Sequence, residues 1–311
     1  LVDADWALNN GNWLWLSGVA PFSMPYFRLY NPCPDGKSSL NVETKNTDFI
    51  RYWVPELEKY PSKYIFEPHL APLPVQESAD CVIGADYPKP MVDRKAVAKE
   101  NLKKLQLVLS GLDLKVNGIN IRMGETFGCA AISEYSEKYQ HDINEAIKVA
   151  IELKVPAIHV MSGITAADDA NKTFISSLEY ALENSTQTIL IEPVCKEQLP
   201  GYFLRTIEQA SEILKIVNHP RLKILFDCYH VYKESGDLMD AFAKNVECIG
   251  HVQISAAETR AEPLPGKLNY SEILPQMQKL GYRGAFGCEY RPLANTEDGL
   301  AWRDNFRREA T

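Results

Sequence analysis

The sequence lacks the features that mark several common classes of protein. It has no run of about 18 apolar residues and no basic-then-apolar leader, so we expect neither a membrane span nor secretion. Its seven cysteines are scattered and form no Cys-x-x-Cys pair, which argues against a zinc site and a disulfide framework. Positive charge is scarce as well. The 33 Lys and Arg stand against 41 Asp and Glu, and this net charge of -8 argues against a nucleic-acid-binding surface over the whole chain. We therefore expect a cytoplasmic protein with reduced thiols, no membrane contact and no nucleic-acid partner.

What the chain does contain is unevenly distributed. Its 311 residues are 45% hydrophobic and 24% charged, which is typical of one large globular domain or two small ones. Eleven of the 19 prolines and four of the five tryptophans fall in the first 90 residues. The first residue is Leu1 rather than Met. This imbalance predicts two segments of different origin, residues 1–102 and residues 103–311.

The second segment has a regular rhythm of short apolar runs and amphipathic stretches at a spacing of roughly 30 residues, which is typical of parallel βα units. A closed (β/α)8 barrel has eight such units in about 250 residues. The sequence therefore predicts an α/β fold, an incomplete barrel of about six βα units. The predicted strands are residues 105–109 (with 114–121 as the alternative), 157–161, 188–194, 222–226, 248–254 and 284–288.

The first segment shows no βα rhythm. Residues 2–20, 47–60 and 92–107 are candidate helices, and proline-rich stretches separate them. We expect this segment to be mostly helical and irregular, and not to supply the missing strands of the barrel.

Oxygen-bearing side chains stand at or near the ends of four successive predicted strands: Glu192, Asp227, Gln253 and Glu289. In a barrel the carboxyl ends of the strands converge on one face. Three carboxylates brought together repel one another unless a cation joins them. Carboxylate and amide oxygens suit Mg2+ or Mn2+ better than zinc. The alternative is four solvated turn residues.

Histidine and arginine side chains lie close to these positions in the sequence. His230 follows Asp227 by three residues and is a candidate substrate ligand, and His159 in the second predicted strand is another. Arg260 is placed to hold an anionic substrate through a bidentate contact. Satisfied core histidines and a surface arginine are the alternatives.

Two glutamates on one divalent cation indicate a proton shift. The metal polarises a carbonyl and its neighbouring hydroxyl, one glutamate removes a proton alpha to the carbonyl, and the other returns a proton to the adjacent carbon. The pattern therefore favours an isomerase acting through an ene-diolate.

The second segment also resembles a known family. The stretches Ile-Glu-Pro (191–193), Phe-Asp-Cys-Tyr-His (226–230), Gly-His-Val-Gln-Ile (250–254) and Gly-Cys-Glu-Tyr-Arg-Pro (287–292) are similar to the hydroxypyruvate isomerase family of xylose-isomerase-like barrels. The resemblance implies conversion of hydroxypyruvate to tartronate semialdehyde. It implies Glu192, Asp227, Gln253 and Glu289 as metal ligands, with Glu192 and Glu289 as the acid–base pair, and His230 and Arg260 as substrate contacts.

The sequence departs from that family in two respects. The family usually has Asn and Arg where this chain has Cys195 and Glu197, so a polar contact and a positive charge near the substrate are missing. The first two βα units of the family have no visible counterpart.

The first segment resembles the end of the FAD-binding domain of cryptochromes and photolyases. The matching stretches include Asp-Trp-Ala-Leu-Asn-Asn-Gly-Asn-Trp-Leu-Trp (5–15) and Phe-Ile-Arg-Tyr-Trp-Val-Pro-Glu-Leu (49–57). The resemblance implies four FAD-binding residues: Asp3, Asp5, Asn9 and Trp13. Since only about a fifth of such a protein is present, we expect FAD to bind only if further sequence completes the pocket.

Three functions stay open at this point. The first is a metal-dependent isomerase that takes a small anionic hydroxy-carbonyl substrate. The second is a flavoprotein fragment of the photoreceptor or DNA-repair type, and the third is a chimera in which neither part works. The sequence leaves a homo-oligomer open.

Overall fold

Two stretches of the chain build separate hydrophobic cores. The structure is a computed structural model and describes residues 47–91 and 94–306. It divides after Lys104 into two compact units, which we call unit 1 and unit 2. The helix Arg94–Gly111 contains the point of division, so the predicted domain boundary at residues 102 and 103 stays a prediction.

The described part of unit 1 consists of short helices joined by turns. Helix α1 is Asp48–Trp53 and α2 is Leu73–Ser78, with single 3-10 turns at Pro55–Leu57 and Pro68–Leu70, and the Arg94–Gly111 helix is α3. Proline at the first positions of the 3-10 turns fits there because those positions need no backbone N–H donor. The hydroxyl of buried Tyr60 donates to the carbonyl of Cys81 at 2.7 Å and links the two ends of this small core.

Unit 2 is built on a six-stranded parallel sheet in which each strand pairs with the next along the chain. The strands are β1 (Ile119–Asn120), β2 (Ala157–His159), β3 (Thr188–Ile191), β4 (Leu222–Asp227), β5 (Ile249–Ile254) and β6 (Phe286–Cys288). The helices between them are α4 (Ser136–Glu152), α5 (Ala170–Asn184), α6 (Ile207–Val217), α7 (Cys228–Ser235), α8 (Leu238–Asn245) and α9 (Tyr270–Lys279). Six parallel strands forming a curled half-barrel confirm the predicted α/β class and the incomplete barrel. None of the described residues before β1 adds a strand to this sheet.

The two faces of the sheet bury different sets of side chains. One face packs against the helices and belongs to the large core, with Ile158, Ile189 and Ile224 completely buried. The opposite face carries a separate small cluster, formed by Ala157, Leu190 and Leu225. Because side chains alternate along a strand, the residue two positions after each cluster member also lies on this second face.

Several sequence predictions need correction. Residues 105–109 lie in α3, so the strand prediction there is wrong, and the alternative at residues 114–121 contains β1. Helix α7 begins directly after β4 and was not predicted, because no loop separates the two elements. Near the C-terminus, Asp298–Phe306 is a run of 3-10 turns.

The six described cysteines are all free thiols, and four of them are buried. Cys288 is exposed because it lies on the edge strand β6. In the ranges that the structure describes, no helix is long and apolar enough to cross a membrane.

Candidate active site

The four predicted ligands stand at the carboxyl ends of four neighbouring strands. Glu192 directly follows β3, Asp227 ends β4, Gln253 lies in β5 and Glu289 directly follows β6. Asp227 pairs in register with Gln253, which in turn pairs with Gly287. Glu192 and Asp227 come two residues after members of the small cluster and share its face of the sheet.

The chain turns straight from β4 into α7 because Asp227 also caps that helix. Its Oδ1 accepts a hydrogen bond from the backbone N–H of Tyr229 at 2.8 Å. This cap places His230 in the first turn of α7, with its Nε2 3.7 Å from Asp227 Oδ2 and 3.9 Å from Glu192 Oε1. Glu192, Asp227 and His230 each contribute one potential ligand atom to a group that spans no more than 4.8 Å.

Arg260 joins the cluster from the loop that follows β5. Its Nη2 lies 3.3 Å from Asp227 Oδ2 and 3.4 Å from Glu289 Oε2, and its Nη1 lies 2.8 Å from His230 Nε2. The guanidinium also stacks over the ring of Tyr229 at 5.0 Å. Its backbone adopts φ 53°, an uncommon conformation for a residue with a side chain and one that often marks functional positions.

His159 is buried beside Glu192. Its Nε2 lies 3.7 Å from Glu192 Oε2, and its Nδ1 lies 3.2 Å from Oδ1 of Asn120 on the neighbouring strand. Since the amide oxygen can only accept, Nδ1 carries the proton and Nε2 is the unprotonated nitrogen. Burial lowers the pKa of His159 to about 3, so the ring is neutral at physiological pH.

The environment raises the pKa values of all three carboxyl groups. Burial is the main cause for Glu192, whose pKa lies well above its usual value, and the charges of Glu289 and Asp227 add to the effect. Burial also raises the pKa of Asp227, while Arg260 acts against it. Burial and the charge of Asp227 raise the pKa of Glu289 to about 7 although its side chain is 39% exposed overall, and Arg260 again acts against the shift. The pKa values of three neighbouring acids are all raised, so an added positive charge at this site would stabilise their ionised forms.

The unpaired atoms of the site fit a divalent cation. Among the described residues, Glu192 Oε1, Gln253 Oε1 and His159 Nε2 are buried without a hydrogen-bond partner. A buried polar atom without a partner is costly, so these three atoms are candidate ligand atoms. When ionised, the three carboxylates and the Arg260 guanidinium carry a formal charge of -2, which a divalent cation would neutralise. Carboxylate and amide oxygens are the ligands of Mg2+ and Mn2+.

The structure thus brings six of the seven residues predicted for the C-terminal site within 4 Å of another of them, and Gln253 lies in register with Asp227 on the neighbouring strand. Two of their neighbours were missed, Asn120 and Tyr229, and the contact of Cys195 with His230 was not predicted. Asn120 is the second residue of the two-residue strand β1, and this strand is too short to show an apolar run in the sequence. Tyr229 and Cys195 contact the site residues only because α7 begins at Cys228. The four predicted FAD-binding residues, Asp3, Asp5, Asn9 and Trp13, lie outside the described residues.

Comparison with known proteins places this site in a family. The sequence model described as "Xylose isomerase-like TIM barrel" matches residues 80–306. The chain belongs to the xylose isomerase-like TIM barrel family. A crystal structure described as an AP endonuclease, family 2, from Brucella melitensis is similar with a TM-score of 0.64 and 32% identity, covering 67% of this chain and 84% of that one.

Several relatives that match more than half of the chain are named isomerases. The chain is 36% identical over 182 residues to the 2-oxo-tetronate isomerase of Cupriavidus necator, covering 56% of this chain and 70% of that protein. It is 30% identical over 218 residues to the hydroxypyruvate isomerase of Escherichia coli, covering 67% and 84%. These relatives confirm the prediction of an isomerase.

The N-terminal resemblance is confirmed as well. The sequence model described as "FAD binding domain of DNA photolyase" matches residues 1–107. The chain is 47% identical over 105 residues to the (6-4)DNA photolyase of Oryza sativa subsp. japonica, but this match spans only 18% of that protein.

Proposed function

We propose that unit 2 is a divalent-metal-dependent isomerase of small 2-oxo-3-hydroxy acids, with hydroxypyruvate and tartronate semialdehyde as the substrate pair. One observation carries the proposal: four neighbouring strands carry oxygen-bearing side chains at their carboxyl ends, and buried atoms of Glu192 and Gln253 have no partner among the described residues.

Glu192, Asp227, Gln253 and Glu289 would hold the metal. Mg2+ and Mn2+ match this set of oxygen donors. When bound, such an ion polarises the substrate's carbonyl and the hydroxyl on the adjacent carbon. The hydrogen bonded to that adjacent carbon becomes more acidic as a result.

The two glutamates are proposed to move the protons of the reaction. One takes the proton from C3, which breaks a C–H bond alpha to the C2 carbonyl and leaves an ene-diolate. The other gives a proton to C2, while the hydroxyl proton passes from O3 to O2, so the product differs only in the position of its carbonyl. The two glutamates follow different strands, β3 and β6, so each carboxyl is available to act on a different one of the two adjacent carbons.

Three further side chains are proposed to bind the substrate. Arg260 supplies the positive charge that an anionic acid requires. His230 and His159 present unprotonated Nε2 atoms that can accept hydrogen bonds from hydroxyl groups. Both rings stay neutral at physiological pH, since burial lowers their pKa values, and Arg260 lowers that of His230 further, to about 2.

The relatives indicate which acids to test. Proteins named hydroxypyruvate isomerase and 2-oxo-tetronate isomerase both act, by their names, on acids of this class. The second acid is one carbon longer. Cys195 and Glu197 stand where the resemblance to the hydroxypyruvate isomerase family implies Asn and Arg, so the comparison of the two acids is informative.

The test is an isomerase assay on chelator-treated protein with and without Mg2+ or Mn2+. We expect turnover of one of the two acids only when metal is added, and we expect Glu289→Gln to lower kcat by about 100-fold or more, the usual contribution of a general acid or base. Metal should also raise the midpoint of thermal unfolding of the wild type, since it binds only the folded state.

Asp142→Asn is the matched control for this experiment. Asp142 is a buried carboxylate of the same unit, but it pairs with Lys138 at 2.8 Å, away from the cluster. This variant should keep the metal-dependent activity even if it unfolds at a lower temperature. Folded, metal-supplied wild type that converts neither acid would overturn the proposal.

We keep FAD binding by the N-terminal segment as a second candidate function, because residues 1–107 match the photolyase FAD-binding model. Asp3, Asp5, Asn9 and Trp13 would contact the flavin. The visible absorbance of the purified chain after incubation with FAD and gel filtration tests it. Retained flavin absorbance supports the candidate, and its complete loss contradicts it.

A further inference from the structure

A buried carboxylate joins the two segments of chain that carry Arg260 and Glu289. Glu262 is 5% exposed and lies in the loop after β5, two residues beyond Arg260. Its Oε1 and Oε2 accept from the backbone N–H of Leu293 at 3.2 and 3.3 Å. Leu293 lies in the segment after β6, four residues beyond Glu289, and is 73% exposed. A buried acid of one segment therefore binds the backbone of the other.

A backbone hydrogen bond joins the same two segments nearby. The N–H of Arg291 donates to the carbonyl of Arg260 at 2.8 Å. The turn that presents Arg260 is closed by two further bonds, from the N–H of Arg260 to the carbonyl of Ala256 at 2.9 Å and from the N–H of Ala256 to the carbonyl of Ala261 at 3.0 Å. The single bond from Arg291 would let the turn pivot against the segment after β6. The second bond, made by Glu262, also fixes their relative direction.

Packing alone does not account for an acid at this position. A Cβ atom added at Gly299 would overlap with Oε1 of Glu262, so the backbone of the 3-10 run Asp298–Phe306 passes close to the carboxylate. Burying a carboxylate costs free energy unless hydrogen bonds compensate for the lost water. An apolar side chain would fill the same space without that cost. The acid is therefore explained by the hydrogen bond that it makes.

We infer that Glu262 is a positioning residue that holds Arg260 in place. Among the described residues its carboxylate bonds only to the N–H of Leu293, so it acts on Arg260 through the backbone. Arg260 has a φ of 53°, and such a conformation persists only where the surrounding structure supports it. With the two segments joined, Nη2 of Arg260 stays 3.4 Å from Oε2 of Glu289.

The meaning of this inference for catalysis rests on the proposed function. If unit 2 takes a 2-oxo-3-hydroxy acid, Arg260 binds the carboxylate of the substrate. A displaced guanidinium then weakens substrate binding more than it slows the proton transfers, so loss of the Glu262 carboxylate acts mainly on KM. The order of the guanidinium is a property of the chain itself and can be measured without turnover.

The direct test is the NMR spectrum of the arginine side chains in the full chain, labelled with 15N-arginine and treated with chelator. A guanidinium held at both Nη atoms rotates slowly and gives separate Nη–H signals, whereas a free one gives averaged signals. We expect separate signals for Arg260, whose two Nη atoms both have partners, and Arg260→Lys identifies them by their loss. Arg221 is the internal control, because its Nη atoms donate to the carbonyls of Gln187 and Leu182. Averaged signals for Arg260 in the wild type would overturn the inference without any variant.

Two substitutions remove the hydrogen bond from its two sides. Glu262→Leu removes the acceptor, and Leu293→Pro removes the N–H donor at an exposed position. In each we expect the signals of Arg260 to average while those of Arg221 stay separate, which shows that unit 2 is still folded. Separate Arg260 signals in either folded variant contradict the inference. If Glu262→Leu loses the Arg221 signals as well, Leu293→Pro decides.

Glu258→Leu is the matched control. Glu258 also lies two residues from Arg260 and also accepts a backbone N–H, that of Lys267 at 2.8 Å, but this bond stays within the loop after β5. Its loss should leave the Arg260 signals separate. If Glu258→Leu frees Arg260 as fully as Glu262→Leu does, the order of the guanidinium depends on the loop in general and the inference is wrong.

Kinetics and a conservative variant separate a positioning role from a general loss of stability. In an active enzyme we expect Glu262→Leu to raise KM about tenfold with a smaller change in kcat, as befits one lost hydrogen bond to a charged group. Glu262→Gln keeps one acceptor oxygen and should stay within about threefold of the wild type. An unchanged KM in a variant with averaged Arg260 signals would contradict the role in substrate binding. A chain that converts neither acid refutes the proposed function, whereas the NMR result still decides whether Glu262 holds Arg260.

Discussion

Individual residues of the site could be predicted where the sequence itself marks them. Glu192, Asp227 and Glu289 each close an apolar run, so their common location followed from the alternation of strands and helices. The orientation of Arg260 could not be predicted, because it depends on a loop residue with positive φ. The same holds for Cys195, whose contact with His230 joins residues 35 positions apart.

Tyr282 provides a residue-scale prediction about pH. Its hydroxyl accepts from the backbone N–H of Val252 at 3.1 Å and donates to the carbonyl of Ala285 at 2.8 Å. Burial raises the pKa of Tyr282 to about 12. Because the pKa of Tyr282 is higher in the folded protein, its neutral hydroxyl stabilises the fold fully at pH values below the unfolded-state pKa of about 10. This stabilisation is lost as the pH rises through the folded-state pKa of about 12.

Urea unfolding of the wild type and Tyr282→Phe at pH 8 and pH 11 tests this account. At pH 8 the variant should be less stable by about 1 kcal/mol, the usual net value of a lost hydrogen bond. At pH 11 the difference should shrink by about 1 kcal/mol, since the wild type then loses its advantage. A difference that is equal at both pH values would show that Tyr282 ionises as freely in the folded protein as in the unfolded one.

At the scale of elements, the alternation of strands and amphipathic stretches was predicted and helix α7 was not. Asp227 is both the last residue of β4 and the N-cap of α7, so no loop separates the two elements. The sequence from Leu222 to Ser235 therefore shows no boundary between strand and helix. Strand β1 has only two residues, which is too short for an alternating pattern, and the apolar residues 105–109 instead belong to α3. Local pattern fails in these places because tertiary pairing decides the element.

Helix α6 offers an element-scale prediction. The Oγ1 of Thr206 accepts from the backbone N–H of Gln209 at 3.1 Å and caps the helix. Thr206→Ala should lower the free energy of unfolding by about 1 kcal/mol, the usual value of such a cap. Thr206→Ser retains the cap oxygen and should be nearly neutral. Urea unfolding measures both, and equal losses in the two variants would mean that the cap is not the source of the stability.

At the scale of the whole molecule, the sheet of unit 2 runs from β1 to β6 without closing. Both edge strands present unpaired backbone groups among the described residues, and open edges favour pairing with another chain. Leu107, Leu112 and Leu114 add apolar surface in the same unit, being 55–72% exposed. The number of βα units in the sequence predicted that strands of a closed barrel are missing. It did not predict which side chains are exposed as a result.

These open edges predict self-association. Sedimentation velocity over increasing protein concentration should show species larger than a monomer of 35.1 kDa. Leu112→Lys should weaken the association, whereas Ile216→Lys, at a similarly exposed position on α6, should not. A chain that stays monomeric at all concentrations would show that the edges are protected in solution.

The central claim is that the reaction moves protons through Glu192 and Glu289. Turnover of hydroxypyruvate in D2O with Mg2+, followed by NMR, tests it most directly. The side chain of Glu289 is 39% exposed, so its proton exchanges with solvent. The account predicts deuterium at C2 of tartronate semialdehyde and a kcat for Glu289→Gln that is lower by about 100-fold or more. Product formed without deuterium at carbon would contradict proton transfer and indicate that hydrogen moves directly between the two carbons.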